Sequence, residues 1–413
     1  MALSSHRNPV QPAKTEAGVY YLVASDRAVG PEATRGAMEV ARRGHGNDLV
    51  MKSQSKLLHY LMEPEILGVL MCTYEPAEID FFKSESYPTV NLSNLLGPLP
   101  EMGNLLSDDR EVGRMAARHL LKQGHRSFLT VWYEGRHPHH ERALGFMEVI
   151  QDSGHTVVPF THSFEANEDI HKTHMSYLRG MQEVVASALG NIPLGSGIFA
   201  SNDHLALLIQ QVMYLFYPEH LETSGILGVD NDAPSFGYLG SLPELSSVQP
   251  AFYQMGVDAM DWLFKHPGIR GREVAGDLFR LYPPTGVIAR ASTAAGACAD
   301  PLTARMIRWI WERVREGQAF SVSDVARAHH MARKTLERRF AEHANTSPGD
   351  LISRLRLDLV REMLRNTSTG IAEISLRCGF SKQDILARAF RREYGCTPSE
   401  YRRRVREAPP VQD

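Results

Sequence analysis

The chain has 413 residues, 43% hydrophobic and 23% charged, with a formal net charge of -3 at pH 7. This length exceeds the roughly 100–200 residues of one ordinary domain, and the composition excludes a largely disordered or fibrous protein. No apolar run approaches the roughly 18–20 residues that a membrane helix needs, and the N-terminal residues lack the apolar segment of a secretory signal. The four cysteines are scattered without CxxC spacing. We therefore expect a soluble cytoplasmic protein without a disulfide scaffold, a cysteine-rich zinc site, membrane contact or a cofactor.

The charge is unevenly distributed along the chain. Residues 301–413 hold 22 Lys and Arg against 14 Asp and Glu, a net charge of +8, whereas the residues before them carry -11. Only Lys334 and Lys382 of these 22 cations are lysine, and the planar fork of arginine suits phosphate and guanine better than a point charge does. The basic C-terminal quarter favours a module that binds a polyanion, although a solvated helical surface would have a similar balance.

Residues 1–16 are predicted to be a loose tail, and from residue 17 to residue 290 short apolar runs alternate with segments of helical periodicity. Because apolar strands buried on both faces alternate with helices, the pattern predicts α/β lobes with parallel sheets, and the number of units favours two lobes. Ligands of such folds bind beyond the carboxyl ends of the strands. The apolar runs are 19–24, 66–71, 88–91, 128–132, 197–200 and 226–229, and helical segments run through 38–42, 111–123, 141–153 and 203–216.

The small residues of 291–300 have the composition of a linker, and residues 301–407 contain no strand-like run. They are predicted to form about seven short helices, before a tail at 408–413. One helix-turn-helix pattern occurs twice, at 321–340 and 370–390. The helix starts that we predict are Asp300 with Pro301, the Ser321–Asp324 and Ser381–Asp384 capping boxes, and Gly370.

The second copy and the residues after it resemble the signature of AraC-type transcription regulators. The matching segments are Ile371-Ala-Glu-Ile-Ser, Cys378-Gly-Phe-Ser, Arg388-Ala-Phe-Arg-Arg and Gly395-Cys-Thr-Pro-Ser-Glu-Tyr-Arg. The chain departs from that family at Ile385-Leu386, where an aromatic pair is usual, and at Ala332, where a helix cap is lost. The resemblance implies two recognition helices that enter successive major-groove segments of double-stranded DNA.

The resemblance also implies which side chains contact DNA. Arg338 and Arg388 are the best candidates to read a base, since arginine to guanine is the commonest specific contact. Glu337 could accept from a cytosine amine or simply pair with Arg333. The other base-edge candidates are Lys334, Asp384 and Ile385, the phosphate candidates are Arg339, Arg391 and Arg392, and Gln383 is a further DNA-binding candidate.

The front part resembles the periplasmic-binding-protein-like sensor domain of the Lac/Gal repressor family. The resemblance implies that Arg142, Asn202, Asp203 and Asp230 bind sugar hydroxyls in a cleft between two lobes. A salt bridge for Arg142 and a turn-forming role for Asp230 remain open. Trp132, Tyr133 and Phe160 are candidates to stack on the sugar ring or to pack in the core. The matching segments are 111–126, Glu141-Arg-Ala-Leu-Gly-Phe, Ser201-Asn-Asp, Gly228-Val-Asp-Asn-Asp, Leu245-Ser-Ser-Val and Phe252-Tyr-Gln-Met-Gly.

Together these features predict a transcription regulator, an activator, controlled by a small sugar. It would act as a homodimer on operator or promoter DNA and contact RNA polymerase. One alternative is a ligand-independent DNA-binding protein whose front domain only dimerises. Another is an enzyme domain of the amidotransferase type that uses Cys72, and the tract His137-Pro-His-His could bind metal or place His139 and His140 in the cleft.

Overall fold

The computed structural model describes residues 19–24, 29–43, 48–53, 66–72, 79–81, 88–162, 182–183, 185–232, 242–266 and 278–407. The tails predicted at 1–16 and 408–413 lie outside these ranges. Within them, none of the helices has the length and apolar content of a membrane span.

Twelve strands are described in these ranges, and each apolar run named above coincides with one of them. The strands are β1 (Val19–Ala24), β2 (Asp48–Ser53), β3 (Ile66–Cys72), β4 (Thr89–Asn91), β5 (Gly103–Ser107), β6 (Ser127–Tyr133), β7 (Thr156–His162), β8 (Gly197–Ala200), β9 (Gly225–Val229), β10 (Ser246–Gln249), β11 (Phe279–Tyr282) and β12 (Gly286–Ile288).

Four helices of the front part coincide with the predicted helical segments, and the described residues from 301 to 407 contain seven helices. The front helices are α1 (Val29–Arg43), α2 (Asp109–Lys122), α3 (His137–Asp152), α4 (Asp203–Phe216), α5 (Pro218–Thr223) and α6 (Phe252–Lys265). The C-terminal helices are α7 (Pro301–Arg315), α8 (Val322–Ala328), α9 (Arg333–His343), α10 (Pro348–Asn366), α11 (Ile371–Arg377), α12 (Gln383–Tyr394) and α13 (Pro398–Glu407).

The strands form two sheets of six, which confirms the two-lobed α/β prediction. The first sheet has the order β11-β5-β4-β3-β1-β2, and its pairings are all parallel. The second has the order β12-β10-β9-β8-β6-β7 and is parallel except for β12, which pairs antiparallel with β10. The described residues form two compact units: those within 1–109, 136–138 and 250–285 with the first sheet, and those within 110–135, 139–249 and 286–413 with the second sheet and the C-terminal helices.

Helix α3, which carries Arg142, packs closely against α2 within the second unit. A methyl group on Gly145 would lie 2.0 Å from the carbonyl oxygen of Arg110, and one on Gly113 would lie 1.9 Å from that of Arg142. Real Cβ atoms do not approach a backbone oxygen so closely, so only glycine allows this spacing of the two helices. Gly145, the glycine of the Glu141–Phe146 motif, therefore allows the close packing of α3 on α2. This packing sets the position of Arg142.

The helix ends of the C-terminal region test the capping predictions individually. The Asp300 carboxylate accepts from the backbone of Thr303 at 2.8 Å, the Ser321–Asp324 capping box is present, and Gly370 is the N-cap of α11. The Ser381 prediction is wrong: Lys382 is the N-cap of α12 and makes no side-chain cap bond. Because the helix begins one residue later than the pattern suggests, Asp384 stands at its second position and cannot complete a capping box.

Candidate functional site

Polar side chains converge at the carboxyl edge of the second sheet, where β6, β8 and β9 end. Arg142, from the first turns of α3, reaches this edge. Its Nη1 lies 3.1 Å from Oδ1 of Asp230, which follows β9, and donates to the carbonyl oxygen of Ser201, which follows β8, at 2.8 Å. The two charged side chains are only 6% and 7% exposed. A donor fork beside a carboxylate is suited to the paired donors and acceptors of adjacent sugar hydroxyls.

His139 belongs to the same polar cluster, as one of the sequence alternatives suggested. Its Nδ1 lies 2.9 Å from Oγ of Ser201, and its ring meets Tyr133 edge to face at 5.4 Å. His140 instead points to Glu141, at 3.9 Å. Among the described residues, no group of three or more His, Cys, Asp or Glu has the arrangement of a metal site. The contacts of His139 therefore support its presence at the edge of the sheet.

The loop after β9 has an unusual backbone. Asp230 and Asn231 have φ angles of +100° and +55°, a region that residues other than glycine rarely adopt. The backbone N–H of Asn231 donates to Oγ of Ser247 at 2.9 Å, and Nη2 of Arg290 donates to Oδ1 of Asn231 at 2.5 Å. Backbone of this kind persists only where its surroundings hold it, and it is concentrated at functional sites. Asp230 does form a turn, and this turn presents its carboxylate to Arg142.

Asp203 lies behind this edge. Its carboxylate accepts from the Ser247 hydroxyl at 2.7 Å and from the backbone of Asp232 at 2.8 Å, and the residue is 2% exposed. Burial, together with the nearby charge of Asp230, raises its pKa to about 8. Through these contacts Asp203 stabilises the loop after β9. They give no support to a sugar-binding role, which stays a prediction.

The remaining ligand candidates occupy different environments. Oδ1 of Asn202 caps α4 by accepting from the backbone of Leu205 at 2.8 Å, so a ligand contact would fall to its amide nitrogen. Tyr133 and Phe160 pack in the apolar cluster beside α4, in agreement with the core-packing alternative. Trp132, next to the end of β6, is 8% exposed and remains a predicted stacking residue. Residues 25–28 and 73–78, after β1 and β3 of the first sheet, lie outside the described residues.

Sequence reasoning missed Ser247 and Arg290 as members of this site. The Ser-Ser-Val segment contributes to the family resemblance, but the resemblance implies no role for the Ser247 hydroxyl. Arg290 stands at the edge of the segment of linker composition, where its single charge gave no pattern. Arg290 and Asn231 are 59 residues apart in the sequence, so local periodicity cannot predict their contact.

The C-terminal recognition helices each bury one face and expose the other. Leu336 and Phe340 of α9, like Leu386 and Phe390 of α12, are completely buried. The opposite faces expose most of the predicted DNA-contacting side chains, which are Lys334, Glu337, Arg338, Gln383, Asp384, Ile385, Arg388, Arg391 and Arg392. Glu337 accepts from Nε of Arg333 at 2.8 Å, so its alternative pairing with Arg333 is formed.

Arg339 differs from the other predicted DNA contacts. Its Nη2 donates to both carboxylate oxygens of Asp300, at 2.7 and 2.8 Å, and its side chain is only 26% exposed. This ion pair holds recognition helix α9 to the start of α7. The predicted phosphate contact of Arg339 stays a prediction, and it would have to use guanidinium nitrogens other than the Nη2 that Asp300 engages.

Comparisons with known proteins agree with this architecture. Residues 325–404 match the family described as "Helix-turn-helix domain", and residues 117–293 match "Periplasmic binding protein-like domain". The xylose operon regulatory protein of Haemophilus influenzae is 24% identical over 81% of this chain and 84% of its own length. That of Escherichia coli K12 is 31% identical over 54% of this chain and 55% of its own length.

Two further comparisons concern the DNA-binding region and the fold. The transcriptional activator RhaR of Mannheimia succiniciproducens is 36% identical over 21% of this chain and 32% of its own length. The solved structure of a xylose-binding transcription activator, xylR, covers 94% of this chain and 98% of its own with a TM-score of 0.61 at 22% identity. These relatives are transcription regulators, and the thiol of Cys72 is fully buried at the end of β3, so an enzyme is not supported.

Proposed function

We propose that this chain, a homologue of the xylose operon regulatory proteins with an AraC-type helix-turn-helix domain, is a DNA-binding transcription regulator controlled by a small sugar. The observation that carries the proposal is the buried Arg142–Asp230 pair at the carboxyl edge of the second sheet. It occurs in the same chain as two recognition helices with exposed arginines.

The sugar would bind at the carboxyl edge of the second sheet. The Arg142 fork and the Asp230 carboxylate would hold adjacent hydroxyls, with the Asn202 amide nitrogen and Trp132 as further contacts. Since two relatives are xylose operon regulators and the matching solved structure is described as xylose-binding, D-xylose is the first sugar to test.

On the DNA side, α9 and α12 would each read one major-groove segment. Within one protomer these segments would lie roughly 34 Å apart, one helical turn. Arg338 and Arg388 would read bases, and Arg391 would contact phosphate. The working form would be a cytoplasmic homodimer that activates transcription through RNA polymerase. A sugar alters DNA binding only to the extent that it binds one conformation better than another.

A thermal-shift screen of the purified chain against pentoses, hexoses and uronic acids tests the sugar proposal. A sugar at about 100 times its Kd should stabilise the folded chain by roughly 2.7 kcal/mol. We expect a shift with D-xylose or a closely related pentose, and none with the acyclic polyol of the same length. A blank result for the whole panel, from protein that still binds DNA, would contradict sugar control and favour the ligand-independent alternative.

A further inference from the structure

Arg290 lies next to the loop after β9, at Asp230 and Asn231, which we call the sugar-site loop. It makes hydrogen bonds to several segments of the second unit. Its Nη2 donates to Oδ1 of Asn231 at 2.5 Å, and its Nη1 donates to the carbonyl oxygen of Leu245 at 2.7 Å. Its Nε lies 3.1 Å from Glu244, and its side chain is 15% exposed. Asn231 directly follows Asp230, so one guanidinium joins the loop that holds the Arg142 partner to the residues that lead into β10.

The residues that follow Arg290 are bonded into the same sheet. The Ser292 hydroxyl donates to the carbonyl oxygen of Ile226 at 2.6 Å and accepts from the backbone of Ser246 at 2.8 Å. The Thr293 hydroxyl lies 2.8 Å from that of Ser246 and 3.2 Å from Nε2 of His119. These hydroxyls are buried. The segment therefore begins as a fixed continuation of the sheet, although its composition is that of a linker.

The rest of the segment is packed as far as the first C-terminal helix. The amide of Ala297 donates to the carbonyl oxygen of Gln123 at 3.2 Å, and Cys298 is 2% exposed. Asp300 then caps α7 and pairs with Arg339 of recognition helix α9. The α7 helix is attached in turn to the last turn of α5, because Nη2 of Arg308 donates to the carbonyl oxygen of Glu222 at 3.1 Å.

We propose that Arg290 is the positioning residue that couples the sugar-site loop to the DNA-binding helices. This inference rests on the function proposed above. A sugar that engages Asp230 must act on the adjoining Asn231, whose left-handed backbone is held by Arg290 and Ser247. A displacement of Arg290 would pass along residues 291–300 to Asp300, and through its carboxylate to Arg339. Coupling of this kind requires an element with two arrangements that both sites bias.

Arg290→Gln in the full-length chain tests this role. The readout is the factor by which saturating D-xylose changes the affinity for an operator selected from a random-sequence library. Ordinary allosteric factors are about 5–150-fold, and we expect the variant to retain less than about twofold. Its operator affinity without sugar should remain that of the unsubstituted chain, and its Kd for D-xylose, measured without DNA, sets the sugar concentration that saturates the variant. Arg290→Lys keeps the charge but not the fork, and should restore only part of the factor.

Two further variants separate coupling from folding. Arg280→Gln is the matched control, because Arg280 also pairs with a carboxylate, Asp258 at 3.1 Å, but on β11 of the first sheet. It should leave the factor unchanged. Asn231→Ala should lower the factor as Arg290→Gln does, and the double variant should be no worse than Arg290→Gln alone because the contact with Asn231 is already lost in that variant.

The outcomes distinguish this inference from the proposed function. If the unsubstituted chain binds D-xylose and the operator with a coupling factor that Arg290→Gln leaves intact, the role of Arg290 is contradicted while sugar control stands. The same conclusion follows if the two single-variant effects add. If no sugar changes operator binding by the unsubstituted chain, the proposed function fails, and the inference fails with it.

Discussion

At the scale of single residues, the candidate site depends on a charge pair that is almost out of solvent. Removing two charges from water is costly, and a buried pair recovers that cost only with good geometry and further hydrogen bonds. Arg142 satisfies this condition by donating to the carbonyl oxygen of Ser201 as well as facing Asp230. Replacing either partner by an apolar residue would leave a buried charge alone, so informative substitutions keep the charge and change the geometry.

Arg142→Lys is such a substitution. The lysine retains the positive charge beside Asp230 but loses the bidentate fork. Loss of one charged hydrogen bond costs about 1.5–3 kcal/mol, so we expect Kd for the effector sugar to rise roughly 10–100-fold. Operator affinity without sugar should not change. Isothermal titration measures the first quantity and fluorescence anisotropy the second. Arg114→Lys, in an exposed pair with Glu148, is the control, and unchanged sugar affinity in Arg142→Lys would remove Arg142 from the site.

Asp203 predicts a pH dependence of stability. Burial raises its folded-state pKa from 3.8 to about 8, so the unfolded chain releases this proton at lower pH than the folded chain does. Stability from this group is therefore lost as pH rises from about 4 to about 8. Asp203→Asn should flatten the dependence of the unfolding free energy on pH in this window, measured by urea denaturation at several pH values. The exposed Asp152→Asn should retain the slope, and an unchanged slope in Asp203→Asn would show that Asp203 is ionised normally.

Arg388 predicts a sequence-specific effect on DNA. It is exposed on α12, and its Nε lies 3.4 Å from the backbone oxygen of Asp384. Arg388→Ala should cost about 1–3 kcal/mol at one base position, and Arg391→Ala should weaken all sequences alike. Binding of a set of single-base operator variants measures both. Uniform weakening by Arg388→Ala would contradict base reading.

The motifs shared with the sensor domain of the Lac/Gal repressor family were enough to select Arg142 and Asp230 as ligand candidates. They were not enough to separate Asp230, which faces Arg142, from Asp203, which faces Ser247. The Ser247–Asp203 contact spans 44 residues. No local pattern reports it, and burial of a carboxylate depends on such distant partners.

At the scale of helices and strands, local chemistry predicted most boundaries. The seven C-terminal helices follow from capping residues and apolar spacing, which act within one or two turns. The sequence did not show β2, β5, β7, β10, β11 and β12 because short strands at or near a sheet edge need not be apolar throughout; β11, for example, exposes Phe279 and Leu281 at 60% and 45%. The close contact between α2 and α3 was also hidden, because a glycine within a helix does not reveal which neighbour it admits.

The α2–α3 contact predicts a stability effect. Gly145→Ala would place a methyl group 2.0 Å from the carbonyl oxygen of Arg110, so the helices must separate. Overpacking of this kind costs about 1–3 kcal/mol, and the displacement of α3 should also weaken sugar binding through Arg142. Chemical denaturation and calorimetric titration measure the two effects. Gly349→Ala, where the nearest atom lies 3.8 Å away, is the matched control; equal stability of the two variants would contradict the tight contact.

At the scale of the whole chain, the sequence predicted two α/β lobes followed by a helical region, but not the path between them. The first unit is completed by α6 and β11, which come after most of the second sheet in the chain. Such a return depends on which strands pair, and alternation of strands and helices does not determine pairing between distant segments. The packing of residues 291–300 was unexpected for the same reason, because small residues suit both a loose linker and a tight contact.

The central claim is that one chain binds a sugar and DNA and that each ligand changes the affinity for the other. Its most direct test is the affinity of the full-length chain for operator DNA, measured by fluorescence anisotropy with and without a sugar. The sugar is D-xylose or the one that gives the largest thermal shift. We predict that the sugar changes operator affinity by about 5–150-fold and that operator DNA changes sugar affinity by the same factor, as linkage requires. Equal operator affinity with and without a sugar that demonstrably binds would contradict the claim.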